Sequence, residues 1–321
     1  MFELGLAIDG FTPASDIAAQ AQAAEEGGAS VLWIATHLFQ RDPVTLAATA
    51  LAATKTLKIA PMAISPYAIH PAHAAMAVAT LDELYPGRIT LSLGVGAPAD
   101  LSGAGIESRR PLATMREAVT ICRDLLAGKT VTYEGEVFRI ANRRLVNPTD
   151  RVSIILAASG LKMLALSGSH ADGVIMSGAT SAPFVETCLD RVATGAEGRQ
   201  VKNCGIIYTH IEGLAQAPEN PVRRTLGFIL RGEHHAENIR LGGASLDQVA
   251  LRNAFDAEEW EFVDNLISND VMAAHAACGD VDNVRARFAE YSAAGLDHLI
   301  VSGIAHPDDI LRALKALSPS L

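Results

Sequence analysis

Short runs rich in Leu, Ile and Val recur along the chain, and between them lie longer stretches whose apolar residues repeat at helical spacing. The short runs predict strands over residues 2–8, 31–35, 57–64, 88–93, 152–157, 173–176, 205–214 and 298–301. The longer stretches predict helices over 14–27, 43–54, 72–84, 111–126, 161–170, 182–193 and 307–317, with one extended helical stretch over about 218–277. Ser15 is the expected N-cap of the first helix and Gly27-Gly28 its stop. A small hairpin is expected over 131–140, around Glu134-Gly135.

Strands that alternate with helices belong to a parallel sheet, because parallel neighbours need a crossover connection. Eight such units predict a closed (β/α)8 TIM barrel, with an open doubly wound sheet as the rival. The chain shows no linker, low-complexity tract or internal repeat, so residues 1–321 read as one barrel domain. Two inserts decorate it, at about 97–150 after the fourth strand and 215–280 after the seventh.

Composition narrows the partners. Of 321 residues 49% are hydrophobic but only 5% aromatic, so a large core must be built from aliphatic side chains and Ala. The formal net charge of −10, with no basic run, argues against a nucleic-acid partner. No apolar stretch reaches the ~20 residues that span a bilayer. The N-terminus reads as the start of a strand and not as a signal peptide. Cys122, Cys188, Cys204 and Cys278 lie far apart without metal-ligand spacing, and His234-His235 lacks a third ligand, so no metal site is expected. A cytoplasmic protein is the expectation these features share.

In a barrel of this kind chemistry sits at the carboxyl ends of the strands. Ala158-Ser159-Gly160-Leu161-Lys162 joins the fifth strand to a helix; it reads as a phosphate turn built on free backbone N–H groups, or as an ordinary turn capped by Ser159. Ser177-Gly178, one strand later, is the adjoining wall. Gly94-Val95-Gly96 lacks a third glycine and is not followed at once by an expected helix, so it is a poor dinucleotide fingerprint. It reads as a place where a flat ring approaches the backbone, or as a tight turn. His37 follows the second strand, where an imidazole can exchange protons with a ring or a substrate or can be structural. Asp9 ends the first strand, either as an acid/base group or as a cap on the loop after it.

Several segments together resemble the luciferase-like flavin and deazaflavin oxidoreductases, most of all the branch that includes methylenetetrahydromethanopterin reductase. They are Leu32-Trp33-Ile34-Ala35-Thr36-His37-Leu38-Phe39, Ser65-Pro66-Tyr67 with His70-Pro71, Ala79-Thr80-Leu81-Asp82-Glu83-Leu84 with Gly87-Arg88, and Leu91-Ser92-Leu93-Gly94-Val95-Gly96. Arg116-Glu117-Ala118-Val119 through Tyr133-Glu134-Gly135, and Ala158-Ser159-Gly160-Leu161-Lys162-Met163 through Ala171-Asp172-Gly173-Val174-Ile175, complete the set. The resemblance covers roughly residues 3–180. It implies a cofactor ring across the strand ends, its phosphate on Ser159-Gly160 and Ser177-Gly178, and Lys162 and Met163 beside it. It also implies a bulge with a non-prolyl cis peptide near Ala63-Ile64, followed by Ser65, pressing on the ring. His37 matches the family's histidine near the reactive face.

The implied function is hydride transfer between C5 of coenzyme F-420 and an organic substrate, with Arg109, Arg110 and Lys162 available to its anionic tail. The alternatives are an FMN-dependent monooxygenase served by a separate flavin reductase, and a flavin-binding protein without catalysis. Three departures stand out. Thr36 precedes His37 where relatives often have an acid, Ala97 replaces a Glu of some deazaflavin enzymes, and Ala7 stands where the methylene-reductase branch has an acid, with Asp9 two residues on and on the same face. A small-molecule substrate and a homodimer are the expected partners, the dimer because apolar helix faces need cover.

Overall fold

A computed structural model describes residues 2–214 and 219–318. In chain order the first half runs β1 (Glu3–Ile8), α1 (Ile17–Glu26), β2 (Val31–Ala35), α2 (Pro43–Ala53), β3 (Lys58–Met62), α3 (Pro71–Leu84), β4 (Leu91–Leu93), α4 (Pro98–Gly103), α5 (Pro111–Leu126), β5 (Val131–Glu134) and β6 (Arg139–Arg143). The second runs β7 (Ile154–Ala157), α6 (Leu161–His170), β8 (Gly173–Met176), α7 (Ala182–Ala196), β9 (Lys202–Ile211), α8 (Glu219–Leu230), a 3-10 turn (Glu233–His235), α9 (Ala236–Gly242), α10 (Gln248–Asp256), α11 (Trp260–Leu266), α12 (Asn269–His275), β10 (Ala277–Gly279), α13 (Val281–Ala293), β11 (His298–Ser302) and α14 (Pro307–Leu317).

The main sheet runs β3-β2-β1-β11-β9-β8-β7-β4, every pair parallel. It closes between its two end strands, where Ile59 pairs with Ile89 and Ile64 with Leu93. Hydrogen bonds from Ile59 N to Arg88 O (2.8 Å) and from Ile64 N to Ser92 O (2.8 Å) stitch that seam. The expected eight-stranded barrel is therefore what forms, and the open doubly wound sheet is excluded. Between the two seam pairs β3 advances five residues while β4 advances four, so β3 carries one extra residue, a bulge at the barrel rim. A cis peptide, Met62–Ala63, lies in that bulge, one bond earlier than expected.

Side chains alternate across each strand. Leu4, Leu6 and Ile8 of β1 face the helices and join the large outer core, whereas Ala7 faces inward with Val31, Trp33, Ala60, Ile155, Ile175, Cys204 and Ile300. Ala-rich α2 and α3 bury their small faces against the sheet. α6 and α7 approach each other through glycines: a Cβ on Gly168 would lie 2.1 Å from Val192 O, and one on Gly195 would lie 2.0 Å from Ala165 O.

Several expected boundaries move. β3 stops at Met62 because the bulge takes the chain out of register, and regular pairing in β4 starts only at Leu91. β9 spans Lys202–Ile211, three residues earlier than expected at each end, because it must pair with both β8 and β11. α1 begins at Ile17, behind Asp16; Ser15 is not its cap but donates to Asp16 Oδ1 (2.8 Å). A short helix, α4, does begin two residues after Gly96, with Pro98 at its first position. The long helical stretch is broken at Gly232, Gly243 and Glu258, the last two at positive φ; its expected start at residue 218 lies outside the described residues. α13 fills a segment for which no element was expected, and β10 begins at the last residue of the expected helical stretch. No helix among the described residues is long and apolar enough to cross a membrane.

Candidate active site at the barrel mouth

The inward positions at the carboxyl ends of the strands are small. Ala157 shares the inward face of β7 with Ile155, and Gly94 continues the Ser92 face of β4. The bulge brings Ala63 against them: a Cβ on Gly94 would stand 3.0 Å from the Ala63 Cβ and 3.2 Å from the Ala157 Cβ. Ala63, Gly94 and Ala157 thus form a flat patch. Ile64, beneath it, is buried in the outer core. Ser65 ties bulge to loop, since its hydroxyl donates to Val95 O (2.7 Å). Gly96 takes φ +95 and lies close against Ser65.

The loops after β1 and β2 supply the titratable groups. His37 Nδ1 lies 3.0 Å from Asp100 Oδ2, with the His37 side chain 45% exposed. Asp100 sits in the first turn of α4, an element the sequence reading missed. Thr36 Oγ1 is buried and has no hydrogen-bond partner among the described residues. Asp9 Oδ1 accepts the backbone N–H groups of Phe11 and Thr12 (both 2.9 Å) and the Thr12 hydroxyl (3.1 Å), so that oxygen caps the loop. Arg41 donates to Gly10 O and Phe11 O and fastens the two loops together.

Tyr208 faces inward at the end of β9, in step with Cys204 and Ile206. Its ring packs on Gly178, where a Cβ would be 2.4 Å from the ring edge. Burial, with the charge of Asp9, pushes its phenol up to about 12, so it is a neutral hydrogen-bond donor at ordinary pH. With the strand expected at 205–214, Tyr208 fell at mid-strand and not near its carboxyl end; the alternation Cys204, Ile206, Tyr208 is the signal that finds it.

The turn after β7 is not capped by Ser159. Gly160, not Ser159, occupies the N-cap position of α6, and no side chain caps the helix. Ala158 N is bonded to Ile175 O, and Met163 N and Leu164 N to Gly160 O. Ser159, Gly160, Leu161 and Lys162 lie at the exposed end, with open space at the Gly160 Cα; Met163 is half-buried beside the core. Ser177 is exposed beside this turn and Gly178 is buried under Tyr208. Of the expected rim cations, Arg109 pairs with Glu107 (2.5 Å) and Arg110 with Glu136 (3.0 Å). Lys162 has no partner among the described residues. A groove of about 670 Å³ runs between α4 and the following loop, lined by Pro98, Leu101, Ser102, Ile106, Ser108 and Arg109. It lies on the rim beside Asp100, and the flat patch does not line it. Among the described residues no group of three His, Cys, Asp or Glu side chains is placed to hold a metal.

The luciferase-like monooxygenase family matches residues 3–298. Over 295 residues the chain is 29% identical to 5,10-methylenetetrahydromethanopterin reductase of Archaeoglobus fulgidus, covering 89% of this chain and 88% of the relative. It is 32% identical over 197 residues to F420-dependent glucose-6-phosphate dehydrogenase of Nakamurella multipartita, covering 57% and 58%. The structure of the coenzyme F420-dependent tetrahydromethanopterin reductase from Methanopyrus kandleri superposes with a TM-score of 0.89 at 21% identity, over 98% of this chain and 96% of that one.

Proposed function

Since the chain belongs to the luciferase-like monooxygenase family, we propose that it is an oxidoreductase that uses coenzyme F-420 to move a hydride to or from a small organic substrate. The observation that carries this is the meeting, at one barrel end, of a flat patch at Ala63, Gly94 and Ala157 with an uncapped helix turn at Ser159-Gly160. The patch fits a planar ring, which any side chain at Gly94 would obstruct, and the turn fits a phosphate. The buried, unpartnered Thr36 hydroxyl offers a polar contact at the same mouth. The F420-dependent glucose-6-phosphate dehydrogenase relative supports the same cofactor.

When bound, the deazaflavin supplies the hydride chemistry at its C5 carbon. The chain supplies proton management and orientation. With Nδ1 turned to Asp100, His37 keeps Nε2 for the substrate, taking a proton from a hydroxyl or amine as the substrate is oxidised and returning it in the reverse direction. Asp100 orients the ring. Asp9, with one oxygen committed to its loop, is the second acid/base candidate, and Tyr208 beside it is a neutral donor. The groove next to Asp100 is the substrate's approach.

An FMN-dependent monooxygenase with a partner flavin reductase would use the same patch and turn, but the sequence relatives described above favour the deazaflavin. We also propose a homodimer, because Phe228, Val249 and Phe262 are exposed on the insert after β9. A cytoplasmic site fits the buried thiols of Cys122, Cys188 and Cys204, which burial pushes up to about 12. The test is a fluorescence titration of the protein with F-420 and FMN side by side. Tight F-420 and weak FMN are expected; the reverse order would transfer the protein to the oxygenase reading, and binding of neither would end the phosphate assignment.

A further inference from the structure

The 177–181 loop, one wall of the proposed phosphate site, is gripped from behind by three buried polar side chains that the hydride chemistry does not use. Ala179 takes φ +62, a conformation that residues with a Cβ rarely adopt. Its carbonyl accepts two hydrogen bonds, from Asn238 Nδ2 (2.7 Å) and from His275 Nδ1 (3.0 Å). The neighbouring Thr180 carbonyl accepts the Tyr291 hydroxyl (2.7 Å). Asn238 also receives the Ser181 N–H on its Oδ1 (2.8 Å), and the Ser181 hydroxyl donates to Asn238 O (3.2 Å). Asn238, His275 and Tyr291 are 0%, 1% and 2% exposed.

These side chains come from α9, α12 and α13, which lie far along the chain from the loop. Placing an amide and an imidazole in the apolar satellite core formed by α8 to α12 is unfavourable unless each is hydrogen-bonded. Both direct a donor at the same carbonyl oxygen. His275 must carry its proton on Nδ1 to do so, and its Nε2 is buried without a partner, so the ring is neutral. The adjoining Ser159-Gly160 turn needs no such grip, because α6 itself fixes it. A wall made of loop, by contrast, must be held in place before a ligand arrives if ordering it is not to weaken binding.

We propose that Asn238 and His275 are positioning residues that hold the Ser177-Gly178 backbone in its ligand-ready conformation, so that the insert after β9 sets the affinity for the phosphate-bearing part of the cofactor. This rests on the F-420 reading above. It predicts a ligand-selective effect. In His275→Phe and Asn238→Leu the Kd for F-420 should rise about tenfold, as loss of one buried hydrogen bond to the loop implies. The Kd for the same deazaflavin ring stripped of its phosphate and tail should not change, nor should kcat at saturating F-420. His275→Gln, which restores a donor, should recover most of the affinity. If a larger substitution prevents folding, Tyr291→Phe, which removes a single hydroxyl, carries the same test with a smaller shift. Variants that fold and bind F-420 like the parent, or that lose the stripped ring in equal proportion, overturn the inference while leaving the function intact. Failure of the parent protein to bind either F-420 or FMN overturns both.

Discussion

The two ends of the barrel treat their polar groups in opposite ways. At the amino end of the strands, Glu3 lies 3.6 Å from His298 Nδ1 and 2.6 Å from Lys202 Nζ, and Trp33 Nε1 donates to His298 Nε2 (2.9 Å) inside the barrel. The imidazole of His298 and the ammonium of Lys202 hold the Glu3 carboxyl well below the usual carboxylate range, against the effect of its partial burial. At 3.6 Å the imidazole is beyond hydrogen-bond distance, so Lys202 is the firmer partner. Burial in turn pushes His298 down, so it stays neutral and accepts from Trp33. Gly5 makes room for that ring: a Cβ there would lie 2.5 Å from His298 Nε2. At the carboxyl end the groups face outward. His37 and Asp100 are half-exposed, Thr36 Oγ1 has no partner among the described residues, and the patch has no side chain larger than Ala. The amino end pairs most of its polar groups internally, with the buried His298 Nδ1 left without a hydrogen bond among the described residues, and contributes stability; the carboxyl end leaves more of its polar groups open to a ligand.

Substitutions can test that division. The largest effect belongs to the mouth: His37→Ala should lower kcat/KM about 10²- to 10³-fold without changing the Kd for F-420, as loss of an acid/base group does. A parallel rise in Kd would instead make His37 a binding residue. Gly94→Val should weaken cofactor binding by about 100-fold, because a branched side chain would occupy the ring's place, while urea unfolding shifts only modestly. Equal affinity in that variant would remove the flat patch from the site. At the opposite end, His298→Phe leaves the Trp33 N–H buried and unpaired and should cost about 2 kcal/mol in urea unfolding, with kcat and Kd unchanged. Any change in kcat would mean that the two ends communicate.

A last effect is in pH. Burial pushes His235 and His275 down to about 4, and His298 moves in the same direction. An unfolded imidazole takes up its proton near pH ~6.5, whereas His235 and His275 do so only near 4, so the stability they contribute is full above pH ~6.5 and is lost as pH falls. Between pH 7.5 and 5 the unfolding free energy should drop by about 2 kcal/mol for each of His235 and His275, and His275→Gln should make the profile shallower by one such share. Carboxylates with ordinary unfolded values titrate below this window and do not mask it. A flat profile would mean that these rings take up protons as readily in the folded protein as in the unfolded chain.

Much of the barrel was legible because its strands are apolar runs separated by helices, and because parallel order follows from that alternation. Strand ends were less so. β9 is displaced since its register is set by β8 and β11, partners that hydropathy along one segment does not specify. α13 was readable and missed: Val284, Phe288 and Tyr291 repeat at helical spacing, and Asp280 accepts the Asn283 N–H as an N-cap. The mouth divides in the same way. Gly94, Ser159 and His37 announce themselves by following a strand directly. Asp100, Asn238 and His275 matter only through partners 63, 59 and 96 residues away, and no local pattern reports such contacts.

The glycine-to-backbone contact between α6 and α7 has a mechanical consequence. Each of the two proposed phosphate walls is the lead-in to one of these helices: Ser159-Gly160 runs into α6, and the 177–181 loop runs into α7. Because Gly168 and Gly195 let the two helices meet with no side chain between them, they form a single strut, and the walls are its two tips. A methyl group added at Gly168, at the far end of α6 from the mouth, would act as a wedge under that strut. It would change the angle between the helices, and the cofactor would sense it as an altered gap between two intact walls.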